Sequence, residues 1–379
     1  MDFQSLSFEG DTPSSSYSVP VYQCGPEDGA PQIYLQAAMH ADEHPGTMVL
    51  HHLLDLLEAA EAKGLLKARF TILPIVNPLG LAHLSFHTHR GRYHPVLGLN
   101  YNRAWPDFGK ILLADELFLS DLGDDVMANK KAVRRAIMRW IDAQKPVTAL
   151  EKHRDIIMRF AARADMVLDL HCDDIALNHI FIVPQNLPRY QGLADWMGSA
   201  ATLIAEDSGG GSFDEVWSGL WITLQRELSD YPWPEPILSA TLEYRGQQDV
   251  CDSLNHQDAR NLYHFFCEEG LIDEACQEIR PSSPAPTDLN ACEVLRVDKA
   301  GLIAYQVALG DKVKKRDVIA ELISLDGPRA VRERTPLYAG TDGVVFSLNQ
   351  MKYVWPSVSI AKIAGTQKLD SRGDYLLED

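Results

Sequence analysis

From residue 31 onward, short apolar runs alternate with longer stretches whose apolar positions recur every three or four residues. Ile33 to Ala38 reads as a buried strand. Thr47 to Ala62 reads as a helix, with Leu50, Leu53, Leu54 and Leu57 on one face, and Lys63-Gly64 supplies its stop. Phe70 to Val76 is the next apolar run, ended by Asn77-Pro78. Met166 to Leu170, Ile180 to Val183 and Leu238 to Leu242 complete the set. Mostly apolar strands separated by helices predict an α/β fold, with a mainly parallel or mixed sheet flanked by helices. Residues 107–163 are amphipathic and charged, and are expected to be helical, either packing over the sheet or covering the site entrance, or lying simply as surface helices. The texture changes near Arg280. Pro281 to Thr287 has the turn chemistry of a linker, and glycine-split β-branched runs follow it, among them Gly301 to Tyr305 and Gly343 to Phe346. The expected organisation is a main domain over 1–280, a linker over 281–289 and a small all-β domain over 290–379.

Composition narrows the function. A chain of 379 residues buries a large core without disulfides or a structural metal, so a metal site here would be functional. The formal charge of −18 disfavours nucleic acid and anionic lipid as partners, and the one basic run, Lys312 to Arg316, reads as a solvated hairpin. Six scattered cysteines without a CxxC pair fit a reducing compartment. The N-terminus lacks the basic start and apolar core of a signal peptide, and no apolar run reaches the roughly 18 residues of a membrane span. A cytoplasmic protein, with a homo-oligomer possible, is the expectation.

The chemistry is concentrated just beyond strand ends. Met39-His40-Ala41-Asp42-Glu43-His44-Pro45-Gly46 follows the first strong strand, and ligands in open α/β sheets bind beyond the carboxyl ends of strands. Two metal readings compete. In one, His40 and Glu43 converge as the chain turns into a helix. In the other, His40 and His44 bind as an inverted zincin pair, which needs a helix through both. Pro45 favours the first, because proline belongs in the first turn of a helix and pushes the residue before it out of the helical region. Asp169-Leu170-His171-Cys172-Asp173 ends another strand, and His171 would be the third ligand, with a fourth position left for water, as in catalytic zinc sites. Asp169, Asp173 or Asp174 would orient a ligand histidine. Arg90, Arg92 and Arg103 lie in loops, where arginine grips carboxylates and stabilises oxyanions. Glu243, ending the last strand of the main domain, is a natural general base.

Taken in order, HxxE, NPxG, NR, DLH and LE resemble zinc carboxypeptidases and, more closely, the succinylglutamate desuccinylase/aspartoacylase family, over roughly residues 30 to 250. The resemblance implies a zinc-carboxypeptidase-like mixed sheet and one zinc ion on His40, Glu43 and His171. It also implies Arg92 as the oxyanion-stabilising residue (with Arg90 the alternative), Asn102 and Arg103 as grips on a substrate carboxylate, and Glu243 as base and then acid. The implied reaction is hydrolysis of a small N-acyl amino acid or a related amide. A peptide-cleaving metallocarboxypeptidase and a non-catalytic metal-binding relative are the alternatives. The C-terminal segment resembles the barrel-sandwich hybrid fold of biotinyl and lipoyl domains. Leu325-Asp326-Gly327-Pro328 stands where those carry a modified lysine, so no such attachment is expected. The segment's expected role is to restrict the site entrance or to mediate assembly.

Overall fold

The computed structural model describes residues 1–185, 187–276, 278–370 and 376. Its strands, in chain order, are β1 (Asp2–Glu9), β2 (Ser16–Cys24), β3 (Gln32–Ala37), β4 (Arg69–Leu73), β5 (Leu84–Ser85), β6 (Thr88–His89), β7 (Met166–Asp173), β8 (Ile175–Ala176), β9 (His179–Ile182), β10 (Ala201–Ile204), β11 (Leu238–Gly246) and β12 (Thr287–Asp288). Beyond residue 290 come β13 (Cys292–Arg296), β14 (Gly301–Tyr305), β15 (Lys312–Val313), β16 (Val318–Ser324), β17 (Arg334–Tyr338), β18 (Gly343–Leu348), β19 (Tyr353–Val354) and β20 (Ser359–Gly365).

Nine strands form one mixed sheet in the order β1-β2-β4-β3-β7-β11-β9-β10-β12. Its centre, β4-β3-β7-β11, is parallel, as long helical crossovers require. The two-residue periodicity of these strands divides the core. Ile33, Leu35, Met166, Leu168 and Leu170 face the layer containing helices Pro45–Ala62 and Asp252–Glu268. Tyr34 and Val167 face the opposite layer, with Phe108, Ile137, Ile157 and Trp217. Residues 107–163, expected as helices that pack over the sheet, cover the entrance or lie at the surface, form four of them. These bury one face each as the second layer, because their amphipathic stripes have a sheet to cover.

The N-terminal hairpin β1-β2, paired over eight positions, extends the sheet on one edge. Beyond residue 290 the chain forms two antiparallel sheets, β13-β20-β18-β15 and β17-β16-β14-β19, around a core that includes Ile319, Val345 and Ile363. Residues 314–316 of the basic run are exposed there. Positions 371–375 and 377–379 of the expected 290–379 segment lie outside the described residues. The two parts of the chain meet at β8, which leaves the end of β7 and pairs with β18 through Ala176 to Ser347 and Ile175 to Leu348. Among the described residues, no helix is long and apolar enough to cross a membrane.

Candidate metal centre

Strands β3 and β7 are adjacent and parallel, so their carboxyl ends open on the same edge of the sheet. After β3 the chain turns sharply. Ala38 has φ +60°, Asn77 Nδ2 donates to the Met39 carbonyl at 2.8 Å, and the Glu43 amide donates to the His40 carbonyl at 3.0 Å. The helix begins at Pro45, so His40 and Glu43 lie on a turn rather than on a helical face. His44 is the helix N-cap and stacks on His89 at 5.4 Å, away from the other two. Two close approaches fix the turn. A Cβ on Gly46 would lie 2.8 Å from the Leu170 carbonyl oxygen, and one on Gly91 would lie 2.3 Å from the Asp42 amide nitrogen. Gly46 therefore seats the helix against β7, and Gly91 seats the loop that carries Arg92 against the turn.

His40, Glu43 and His171 converge in the space this creates. One donor atom from each lies within 4.8 Å of the others, and all three residues are buried. Glu43 Oε1 is 3.0 Å from His40 Nδ1, and Oε2 is 2.7 Å from His171 Nδ1. The outer nitrogens are engaged elsewhere. His40 Nε2 lies 2.8 Å from Asn100 Oδ1, and His171 Nε2 lies 3.0 Å from the fully buried Asp169 carboxylate. With its Nε2–H donated to Asn100 Oδ1, His40 presents its Nδ1 lone pair forward, as metal-binding histidines do, while His171 turns its Nδ1 to Glu43 with the Asp169 carboxylate as the charge behind it. Arg92 NH1, 3.1 Å from His40 Nδ1 and 3.0 Å from Glu43 Oε1, treats both as acceptors.

The electrostatics are those of a crowded buried cluster. Burial, helped by Arg92, lowers the pKa of His40 to about 4. Burial also opposes a charge on His171, but Asp169 and Glu43 on either side outweigh it and hold this imidazole well above its ordinary value. For Glu43 burial favours the acid, yet the two histidines keep it well below the usual carboxylate range. The sheet register places Glu243 of β11 beside His171. Burial, with the nearby Glu43 carboxylate, pushes Glu243 up to about 8, and its Oε2 is buried without a hydrogen-bond partner. A divalent ion suits this arrangement: two nitrogens and a carboxylate are a donor set that zinc accepts, and its charge would replace the proton now held at His171.

These groups open on a small cleft of about 100 Å³, lined also by Arg92, Asn102, Arg103, Thr241 and Lys362. All the residues expected at the site are thus brought together, whereas Arg90 is not among those lining the cleft. Asn102 is more enclosed than a surface grip would be. Its Oδ1 accepts from the Phe213 amide at 2.9 Å, and its Nδ2 lies 3.3 Å from His171 Nε2. Arg103 reaches the same wall, with one guanidinium nitrogen donating to the Asn102 carbonyl at 3.0 Å. Sequence reasoning left two residues without a role. Asn100 stands behind His40 two positions before the Asn-Arg pair. Lys362 comes from β20, some 190 residues beyond β7, and no local motif marks it.

Fold and site together define an α/β protein with a buried His-Glu-His group compatible with a metal ion. Residues 29–114 match the model of the succinylglutamate desuccinylase/aspartoacylase catalytic domain. A protein of that family from Shewanella amazonensis SB2B superimposes with a TM-score of 0.81 at 25% identity, covering 96% of this chain and 98% of the other. One from Shewanella frigidimarina NCIMB 400 gives 0.80 at 23%, covering 96% and 97%. The ectoine utilization protein EutE (DoeB) from Ruegeria pomeroyi shares the fold at 0.65 and 16%, covering 96% and 94%. No curated protein matches the chain. Over residues 29–114 the chain thus matches the catalytic-domain model of the family that its ordered motifs resemble, and along nearly its whole length it is similar in structure to proteins named for that family.

Proposed function

We propose that this protein is a zinc-dependent amidohydrolase that cleaves a small N-acyl amino acid or a related carboxylate-bearing amide. The observation that carries this reading is the pair of imidazoles turned Nδ1-inward on either side of Glu43, each anchored from behind. His40, Glu43 and His171 would hold the ion. Bound there, zinc supplies Lewis acidity towards water and the substrate carbonyl.

The remaining work falls to side chains of the cleft. Arg103 and the Asn102 amide nitrogen would hold the substrate carboxylate on one wall of the cleft. Arg92 brings a guanidinium to where negative charge grows on the amide oxygen. Glu243 takes the proton of the attacking water and passes it to the departing amine nitrogen. Its raised proton affinity suits the second transfer. A main catalytic domain over 1–280, a linker over 281–289 and a C-terminal β domain over 290–379 complete the proposal, with a cytoplasmic location. The test is a panel of N-acetyl and N-succinyl amino acids, alongside short peptides, offered to protein reconstituted with one equivalent of zinc. Release of amino acid from the acylated compounds supports the reading. Preferential cleavage of peptides would replace it with a carboxypeptidase, and zinc binding without turnover of either would leave a non-catalytic relative.

A further inference from the structure

The second part of the chain reaches the cleft through one side chain. Lys362 lies on β20, where Ser347 of β18 and Val294 of β13 flank it in the sheet. Its ammonium donates to Asp173 Oδ2 at 2.7 Å, with the two side chains only 19% and 15% exposed. Asp173 is two residues beyond His171 at the end of β7, and both members of the pair line the cleft. The junction is held firmly. The β8–β18 pairing lies immediately beyond Asp174, and Gln350 donates to Gln247 at 2.9 Å beside it.

Charge makes this contact consequential. The described lining residues include three fixed cations, Arg92, Arg103 and Lys362, beside five acidic side chains, of which burial pushes Asp214, Glu215 and Glu243 towards the neutral acid and leaves Glu43 and Asp173 as the charged ones. Arg92 is already engaged with Glu43. Without Lys362, Asp173 would lose its fixed cation, keeping the Asp174 amide and the His179 ring at 3.9 Å beside it, and would present a half-buried negative charge to whatever enters; like charges brought together in a desolvated site repel strongly.

We propose that Lys362 is a specificity-determining residue: by neutralising Asp173 at the cleft wall, it makes the cleft receptive to substrates that carry a carboxylate. The C-terminal sheets then supply part of the recognition surface. The inference rests on the acyl-amino-acid reading above and refines it.

The test measures binding by calorimetry on the zinc-loaded full chain, using N-acetyl and N-succinyl amino acids, each beside its carboxamide. Lys362→Met is expected to weaken binding of the carboxylates by about tenfold or more, with the carboxamides changed by less than about twofold. Lys362→Arg should keep the preference. The double variant Lys362→Met/Asp173→Asn, which restores the charge balance, should recover most of it. Zinc content should be unchanged throughout. Equal weakening of carboxylates and carboxamides would assign Lys362 a packing role and overturn the proposal, as would a wild-type protein with no preference for carboxylates. Turnover is scored separately. Failure to hydrolyse any compound refutes the amidohydrolase reading, while the binding preference still decides the role of Lys362.

Discussion

Asp169→Asn probes the orientation of His171 with almost no change in shape. The Asp169 carboxylate is fully buried, 3.0 Å from His171 Nε2, and its nearest tie to the metal site is that ring. Loss of such an outer-shell partner typically costs about 10–100-fold in metal affinity, or about 1.4–2.7 kcal/mol. Asparagine keeps an oxygen able to accept from Nε2, so the lower end, about tenfold, is expected. A second consequence follows from the same contact. In the metal-free protein Asp169 and Glu43 hold a proton on His171 well above the usual imidazole range, so metal must displace that proton at neutral pH. Without the Asp169 charge His171 is more readily neutral, and fewer protons should leave when zinc binds. Calorimetric titration of zinc against a competing chelator, repeated in buffers of different ionisation enthalpy, reads both quantities. Unchanged affinity together with unchanged proton release would refute the claim that Asp169 sets the state of His171.

Other outcomes follow from the same geometry. Arg92→Ala should lower kcat by about 10²–10³ while one zinc per chain stays bound, measured by steady-state kinetics and elemental analysis. Glu243→Gln should retain zinc and lose turnover, and near-normal activity would dismiss it as the base. Glu243 also shapes the stability of the metal-free protein. Its folded pKa of about 8 exceeds its ordinary 4.5, so the fold binds the extra proton between those values, and the contribution of this group to stability falls as pH rises through that window. Chelator-treated protein should therefore melt at a lower temperature at pH 8 than at pH 6, by a margin that narrows in Glu243→Gln. Gly46→Ala would drive a methyl to 2.8 Å from Leu170 and should cost about 1–3 kcal/mol in chemical denaturation.

Much of this architecture was legible because it rests on local rules. The central strands are buried on both faces and therefore read as continuous apolar runs, and Pro45 fixed where the helix starts and so where His40 and Glu43 turn. The hairpin β1-β2 was missed. Its exposed edge mixes polar and apolar residues, and its pairing with β4 is a long-range choice that no local pattern states. At the site, His40, Glu43, His171 and Glu243 each sit beyond or near the end of a strand, a position with a known meaning in α/β sheets. Asn100 and Lys362 carry no such mark, since one acts through a ring 60 residues away and the other crosses from a separate sheet.

The central claim is most directly tested by a crystal of the protein grown with zinc and measured at the zinc absorption edge. The account requires a single strong anomalous peak bonded to Nδ1 of His40, the Glu43 carboxylate and Nδ1 of His171, at the roughly 2.0–2.2 Å separations of zinc–nitrogen and zinc–carboxylate bonds. A zinc-replete crystal in which these three side chains remain hydrogen-bonded to one another, with no ion between them, would contradict it.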